Sequence, residues 1–343
     1  RDLERRRPGA GGAAATTRGE ADRPEFLSGV FEGHTLGTPI AILVRNGDQR
    51  SADYDELREL YRPGHADWTW EAKYGRRDHR GGGRSSGRET AGRVAAGAVA
   101  RTLLLRYGIG IRAWSASIAG IASPEPGDPG FDPDEAEQNP LRVPSGETAE
   151  RIARRLEEIR AGGDSAGGII ACRVTGMPPG LGEPVFDKLP ALLGRGILSI
   201  GACRGVEFGA GFAAAAMTGS EHNDAPLLPP VAHARIPAGR APDGATPKTA
   251  GGTPKAAGGT FGTNHAGGAL GGISNGMDLL FRAAFKPAAS VARTQRTVDR
   301  AGGIREISVR GRHDVCIVPR AAAVVEAMTA LVVADLLLLQ KVR

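Results

Sequence analysis

The sequence predicts a globular chain in which helices and strands alternate, of the α/β or α+β class. Three observations carry that expectation. Short apolar runs bounded by turn residues, TPIAILV at Thr38–Val44 and LLFRAAF at Leu279–Phe285, have the length and residue content of strands. The run 86–107 is rich in Ala, Val and Leu, opens on Ser86 and Glu89 at capping-box spacing, and closes at Gly108, as a long helix does. The 343 residues are 41% hydrophobic and 24% charged, a globular balance with length for one large domain or two ordinary ones.

Each element follows in order. Residues 1–24 are Arg-, Gly- and Ala-rich and predict a basic turn followed by a loose loop. Beyond the first strand and the long helix, 123–145 is a Pro-, Asp- and Glu-rich connection. Glu147–Ala161 predicts a charged helix stopped by Gly162 and Gly163. Ile169–Val174 reads as a strand, Asp187–Leu193 as a helix and Gly201–Phe208 as another strand. Residues 225–260 consist mainly of Pro, Gly, Ala and Thr. Such a stretch buries too little apolar surface to offset its ordering entropy, so a mobile surface insertion is expected. A glycine-rich segment, 267–276, leads into the strand at Leu279–Phe285, and a final helix begins near Ala321. Ala321–Leu339 is the most apolar stretch. Glu326 and Asp335 interrupt it, and a charge in mid-bilayer is expensive, so it reads as a buried core helix. No apolar leader opens the chain, which predicts a soluble, cytoplasmic protein; the abrupt charged start predicts a missing natural N-terminus.

The formal charge of +6 suits anionic partners without choosing among nucleic acid, acidic membrane and phosphorylated metabolites. Cys172, Cys203 and Cys316 lie far apart with no CxxC spacing, which argues against disulfides and zinc and fits a reducing compartment. The densest signal is Arg62–Glu89. There Arg76, Arg77, Arg80, Arg84 and Arg88 surround Gly81-Gly82-Gly83 just before Ser85-Ser86 and the helix start. A glycine turn, free helix-start N–H groups and guanidinium forks together point to a bound anion. Five like charges within thirteen residues repel one another, which favours that reading over a solvated basic loop. His65, in the turn Arg62-Pro63-Gly64-His65-Ala66-Asp67, is a candidate general acid, although a loop histidine is more commonly a surface residue. Arg312-His313-Asp314 holds the elements of an acid–base relay.

These segments resemble the chorismate synthase family. The resemblance rests on DLERRRPG at Asp2–Gly9, LSGVFEG at Leu27–Gly33, NGDQRS at Asn46–Ser51 and the whole of Arg62–Ala98. It continues through GEPVFDK at Gly182–Lys188, GVEFGAGFAAA at 205–215, GSEHND at 219–224 and TNHAGGALGGISNG at 263–276. It ends with AFKPAAS at 284–290 and GRHDVCIVPRAAAVVEAM at 311–328. The order is the family's, nearly end to end.

The resemblance implies an α+β fold in which long central helices lie between antiparallel sheets, a β-α-β sandwich formed by 1–343 as a single domain and assembled as a homotetramer. It implies a lyase that removes phosphate from 5-enolpyruvylshikimate-3-phosphate by anti-1,4-elimination, with reduced FMN as cofactor, in aromatic amino acid biosynthesis. Flavin contacts would fall to Arg84, Ser85, Ser86, Glu221, His222, Gly271, Lys286, Pro287, Ala288, Ala289, Ser290 and Arg312. His65 matches a proton donor to the flavin; Asp314, with a serine of the Ser85-Ser86 pair, matches a proton relay, and Ser86 is the serine carried forward. Arg6, Arg88 and Arg312 would hold substrate carboxylates and phosphate. Two departures stand out: the family's upstream Gly-Glu-Ser-His-Gly segment has no counterpart, and Gly12 stands where a basic residue is frequent. The expectation is therefore an N-terminally truncated member, with a structural, catalytically impaired remnant as the alternative. A basic nucleic-acid-binding protein is the rival of another class, disfavoured because Arg76–Arg88 lacks interleaved aromatics for base stacking. No GxGxxG fingerprint follows a clear strand, which favours externally reduced FMN over reduction by NADPH on the chain itself.

Overall fold

The structure, a computed structural model, describes residues 1–10, 12–16, 19–47, 57–80, 83–229, 260–309 and 313–342. The expectations at Gly81, Gly82 and Arg312, and those for nearly all of 225–260, lie outside the described residues.

The elements run α1 (Asp2–Arg6), β1 (Pro24–Ser28), β2 (Val30–Phe31), β3 (His34–Thr35), β4 (Ala41–Val44) and α2 (Asp67–Tyr74). Next come α3 (Thr90–Leu105), β5 (Gly110–Ile118), β6 (Ile121–Ala122), α4 (Pro133–Gln138), α5 (Gly146–Ala161) and β7 (Gly168–Thr175). Then follow α6 (Leu189–Leu198), β8 (Cys203–Phe208), α7 (Gly219–His222), β9 (Ala269–Leu270) and β10 (Ile273–Ser274). The chain closes with β11 (Leu279–Phe285), β12 (Gln295–Val298), β13 (Ile304–Ile307) and α8 (Val318–Lys341). The mixture is α+β. One sheet has five strands in the order β6-β5-β7-β11-β8, and β1–β4, β2–β3, β9–β10 and β12–β13 form antiparallel pairs.

The predicted elements are present with shifted ends. β11 coincides with the expected run because Leu279, Phe281, Ala283 and Phe285 alternate inward. In α5, Ser145 accepts the Thr148 N–H, and Thr148, Ile152 and Leu156 share the buried stripe. The long helix starts at Thr90 rather than 86. Ser86 does cap, but it accepts the Arg88 N–H and heads a short 3₁₀ turn, Gly87–Glu89, ahead of α3. Gly108, at φ +73°, ends the helix as expected. Among the described residues, four helices were not expected: α1 in the basic N-terminal turn, α2 directly after the Arg62–Asp67 turn, α4 in the Pro-rich connection and the four-residue α7.

The described residues cluster into two compact units. The first comprises Arg1–Ala95, Ser115–Ile169 and Phe285–Val324; the second comprises Ala96–Trp114, Ile170–Ala284 and Val325–Arg343. In the first unit Arg1 and Arg5 of α1 pair with Glu137 of α4, and Arg160 of α5 donates to the carbonyls of Ala13 and Ala15. Leu57, Ile307 and Val309 form a small apolar cluster there, with Leu60 against it. In the second unit Glu326 of α8 is buried, pairs with Arg101 of α3 and accepts the Ala113 N–H of β5 at 2.8 Å. A charge inside an apolar helix is thus satisfied, while Asp335 is exposed. Among the described residues α8 is the one helix long and apolar enough to cross a membrane, and 67% of its most apolar window is buried. Cys172, Cys203 and Cys316 are free and buried, and burial raises each thiol, that of Cys316 to about 12. They are unsuited to nucleophilic work.

Candidate active site

The turn Arg62–Asp67 is built around one carboxylate. Pro63 restricts the backbone, Gly64 takes φ +69°, and the His65 N–H closes on the Arg62 carbonyl at 3.2 Å. Asp67 opens α2 with its side chain 2% exposed. It accepts the Arg62 N–H at 3.1 Å, Arg62 Nε at 2.8 Å and Arg62 Nη2 at 2.9 Å, and its Oδ1 lies 2.9 Å from His65 Nδ1. Arg77 stands 3.6 Å from the same carboxylate and donates to the carbonyls of Leu57, Arg58 and Leu60. Burial on its own would raise the Asp67 carboxyl. The hydrogen bonds from Arg62 and His65 outweigh it and hold the group well below the usual carboxylate range. His65 is 17% exposed, and its Nε2 has no hydrogen-bond partner among the described residues.

The segment Lys286–Ser290 lies against this turn. Lys286 Nζ donates to the Gly64 carbonyl at 2.7 Å, and a methyl at Gly64 would stand 3.6 Å from that nitrogen and 3.7 Å from Ala289 Cβ. Ser165 Oγ donates to the Ala288 carbonyl at 2.7 Å; Pro287 is exposed and Ser290 half-buried. An amine 222 positions away is thereby brought to the turn that carries the imidazole and the buried carboxylate.

A second cluster in the same unit joins Arg6, Arg88 and Arg320 through Asp22 and Asp314. Arg6 donates to Asp22 at 2.9 Å, to Thr90 Oγ1 at 3.0 Å and to the Gly87 carbonyl at 2.6 Å. Arg88 pairs with the other Asp22 oxygen and donates to the Arg45 carbonyl. Arg320 donates to the Arg6 carbonyl at 2.8 Å and pairs with Asp314, which also accepts the Thr16 N–H at 3.0 Å. Burial, with the charge of Arg320, lowers Arg6 to about 10 against the pull of Asp22. Three cations against two carboxylates leave a net positive charge for an anion.

The Arg/Gly segment itself differs from expectation. Arg77 pairs with Glu71, Arg80 with Asp78 and Arg88 with Asp22, so most of the anticipated repulsion is cancelled inside the protein. Arg76 and Arg84 are exposed and lack hydrogen bonds and ion pairs to described residues. Ser85 and Ser86 are half-buried beside Arg84, with Ser86 Oγ occupied by the Arg88 N–H.

Glu221, His222 and Gly271 belong to the second unit. Glu221 closes a capping box with Thr218, whose N–H and hydroxyl bond its carboxylate and lower it. The His222 ring centre lies 6.0 Å from that of His265. Asp224 resists burial through bonds from Thr263 Oγ1 and the N–H groups of Ala266 and His265, and stays low. His265 Nδ1 and Asn264 Oδ1 are buried without a hydrogen-bond partner among the described residues. Gly271 sits in the β9–β10 turn at φ +60° with open space where a side chain would project.

Sequence reasoning assigned no role to Asp22, Asp67 and Arg320, which fix Arg6, Arg88, His65 and Asp314, nor to Asp224, which holds the 263–266 segment. Asp67 carried a signal, its place two residues after His65. Asp22 carried none, since its partners Arg6 and Arg88 are 16 and 66 positions away.

A family model described as "Chorismate synthase" matches residues 1–338. A curated relative from Syntrophobacter fumaroxidans named "Chorismate synthase" is 50% identical over 338 residues, 98% of this chain and 86% of the relative. Another of that name from Opitutus terrae is 49% identical over 336 residues, 97% of this chain and 85% of the relative. A solved structure described as "Crystal Structure of Chorismate Synthase" superposes with a TM-score of 0.68 at 29% identity, covering 98% of this chain and 81% of that one.

Proposed function

The chain belongs to the chorismate synthase family, and from that premise we propose that it is a carbon–oxygen lyase converting 5-enolpyruvylshikimate-3-phosphate to chorismate. The observation that carries the reading is the Lys286 bond to Gly64, which sets the cationic 286–290 segment against the turn holding His65. The residues present also fit reduced FMN. Arg84 is exposed and, among the described residues, without a hydrogen bond or ion pair, which leaves its guanidinium for a phosphate. Reduced FMN would supply electron density to the substrate during C–O and C–H cleavage, with no net redox change.

The chain's own residues would do the rest. Substrate and cofactor both carry phosphate, so binding them together requires fixed positive charge, which Arg6, Arg88 and Arg320 would provide as an oriented field. Asp22 and the Gly87 and Arg45 carbonyls hold those guanidiniums in place without solvent reorganisation. His65 would hold a proton at Nε2 for the bound ligands. Asp314, fixed by Arg320 and the Thr16 N–H, would take a proton, with Ser86 and Ser85 beside the ligand. Within the first unit Arg84 and Lys286–Ser290 would contact the cofactor; the contacts that the family resemblance gives to Glu221, His222 and Gly271 fall in the second unit.

A homotetramer belongs to the same reading. Phe26, Leu27 and Phe31 are exposed on two-stranded sheets that are marginal alone, and with Leu36, exposed just after β3, they offer apolar surface for subunit contact. The reduced, buried cysteines fit a cytoplasmic location. Treating 1–343 as one domain agrees with α3, β5, β7, β11 and α8 each passing from one compact unit into the other.

The test is anaerobic phosphate release with chemically reduced FMN. His65→Ala should lose about 10²–10⁴-fold in turnover with its melting temperature preserved. Undiminished turnover would remove His65 from the chemistry.

A further inference from the structure

His65 has one ring nitrogen committed and one without a partner among the described residues, and the commitment is unusual in having two claimants. Its Nδ1 lies 2.9 Å from Asp67 Oδ1 and 3.0 Å from Arg62 Nη2. The carboxylate can only accept and the guanidinium can only donate. If Nδ1 carries the proton, it bonds Asp67. If it does not, it accepts from Arg62, and the proton sits on Nε2. Around the ring stand Arg62, Asp67 and Arg77, with Lys286 on the Gly64 carbonyl. Asp67 is anchored by three bonds from Arg62 and is almost wholly buried, so its position is fixed without the histidine.

We propose that Asp67 is a positioning residue for proton transfer: its carboxylate keeps the ring proton on Nδ1, so that Nε2 is the nitrogen exchanging a proton with bound ligands. The inference rests on the reading of His65 as the proton-transfer group. In the neutral ring Nε2 then offers a lone pair. It takes up one proton to give an imidazolium whose charge Asp67 balances, and it releases the same proton to the ligand. With an amide in place of the carboxylate, Arg62 becomes the stronger partner of Nδ1. The proton moves to Nε2, and further protonation would have to occur on Nδ1, against a guanidinium.

The first measurement is long-range nitrogen–proton correlation NMR on the full chain labelled at histidine, in alkaline buffer. The expected neutral tautomer of His65 carries its proton on Nδ1, and Asp67→Asn transfers it to Nε2. A native ring already protonated at Nε2 overturns the proposal, and this result needs no variant to fold. The second is a turnover cycle. Asp67→Asn should cost about 10–100-fold, the usual loss when an orienting partner of a histidine is removed. Added to His65→Ala, it should cost no more than about twofold, the scatter of independent sites. Losses that multiply would mean Asp67 acts elsewhere and would overturn the inference alone. Full turnover in His65→Ala by itself overturns the underlying reading instead.

Discussion

Replacing Asp22 by alanine removes the carboxylate between Arg6 and Arg88 and leaves both guanidiniums facing Arg320 without it. The Asp22 side chain is 0% exposed and that of Arg6 is 3% exposed, so water cannot readily take its place. Removing one member of a buried pair typically costs about 3–5 kcal/mol. Arg6 keeps Thr90 Oγ1 and the Gly87 carbonyl, and Arg88 keeps the Arg45 carbonyl, which places the expected loss toward the lower figure. Set against a total stability of about 5–15 kcal/mol, even about 3 kcal/mol is a large fraction. At roughly 2 °C per kcal/mol for a large domain, the melting temperature should fall by about 6–10 °C. The variant also has one negative charge fewer in its arginine cluster, so sulfate should stabilise it more than it stabilises the native chain. A site saturated to 100 Kd would regain about 2.7 kcal/mol. Comparing both proteins in matched sulfate removes the general salting effect, because it acts on both. Urea unfolding monitored by circular dichroism supplies the numbers. A loss below about 1 kcal/mol, or equal sulfate responses, would refute the view that Asp22 balances this cluster.

Three further outcomes are expected. Arg84→Ala should weaken FMN binding by about 10–100-fold, the worth of a charge-assisted hydrogen bond of about 1.5–3 kcal/mol, and a titration with an unchanged dissociation constant would exclude Arg84 from the cofactor site. Gly97→Ala should lower stability by about 1–3 kcal/mol despite better helix propensity, since its methyl would stand 2.4 Å from Ala327 Cβ and 2.5 Å from its Cα; a gain in melting temperature would show that α3 and α8 part easily there. Asp67 is depressed in the fold, so the stability it confers is complete above about pH 4 and fades only as the pH falls further. The gap between native chain and Asp67→Asn should therefore close in strong acid, and a constant gap down to about pH 1 would contradict the assignment.

Local pattern was legible where a residue's partners are its neighbours. The alternation of β11, the Ser145 cap and Gly162-Gly163 stop of α5, and the apolar run of α8 are read within a few positions. The helix α4 had a local signal too, Asp132 capping and Pro133 at the first turn, but the acidic, Pro-rich composition around it masked the cue. The helix α1 had none of comparable strength. Five residues cannot hold a helix alone, and Arg5 is fixed by Glu137 from α4, 132 positions away. The candidate site divides along the same line. His65 and the Lys286 segment were legible as motifs, whereas their contact through the Gly64 carbonyl depends on a separation of 222 residues.

Density of arginine along a sequence and availability of positive charge in space are different quantities here. Of the five arginines in 76–88, three are paired with carboxylates, and two of those carboxylates, Glu71 and Asp78, lie within the local segment. Repulsion among them therefore does not by itself require a ligand. What favours an anion is the opposite feature, the incomplete pairing: Arg84 and Arg76 without partners among the described residues, and three guanidiniums around two carboxylates at Asp22 and Asp314. A pocket that had cancelled every charge would bind phosphate weakly, and one that had cancelled none would unfold. On the proposed function, Asp22 and Asp314 would hold the balance between these limits, orienting each guanidinium while leaving part of its field for an anionic substrate.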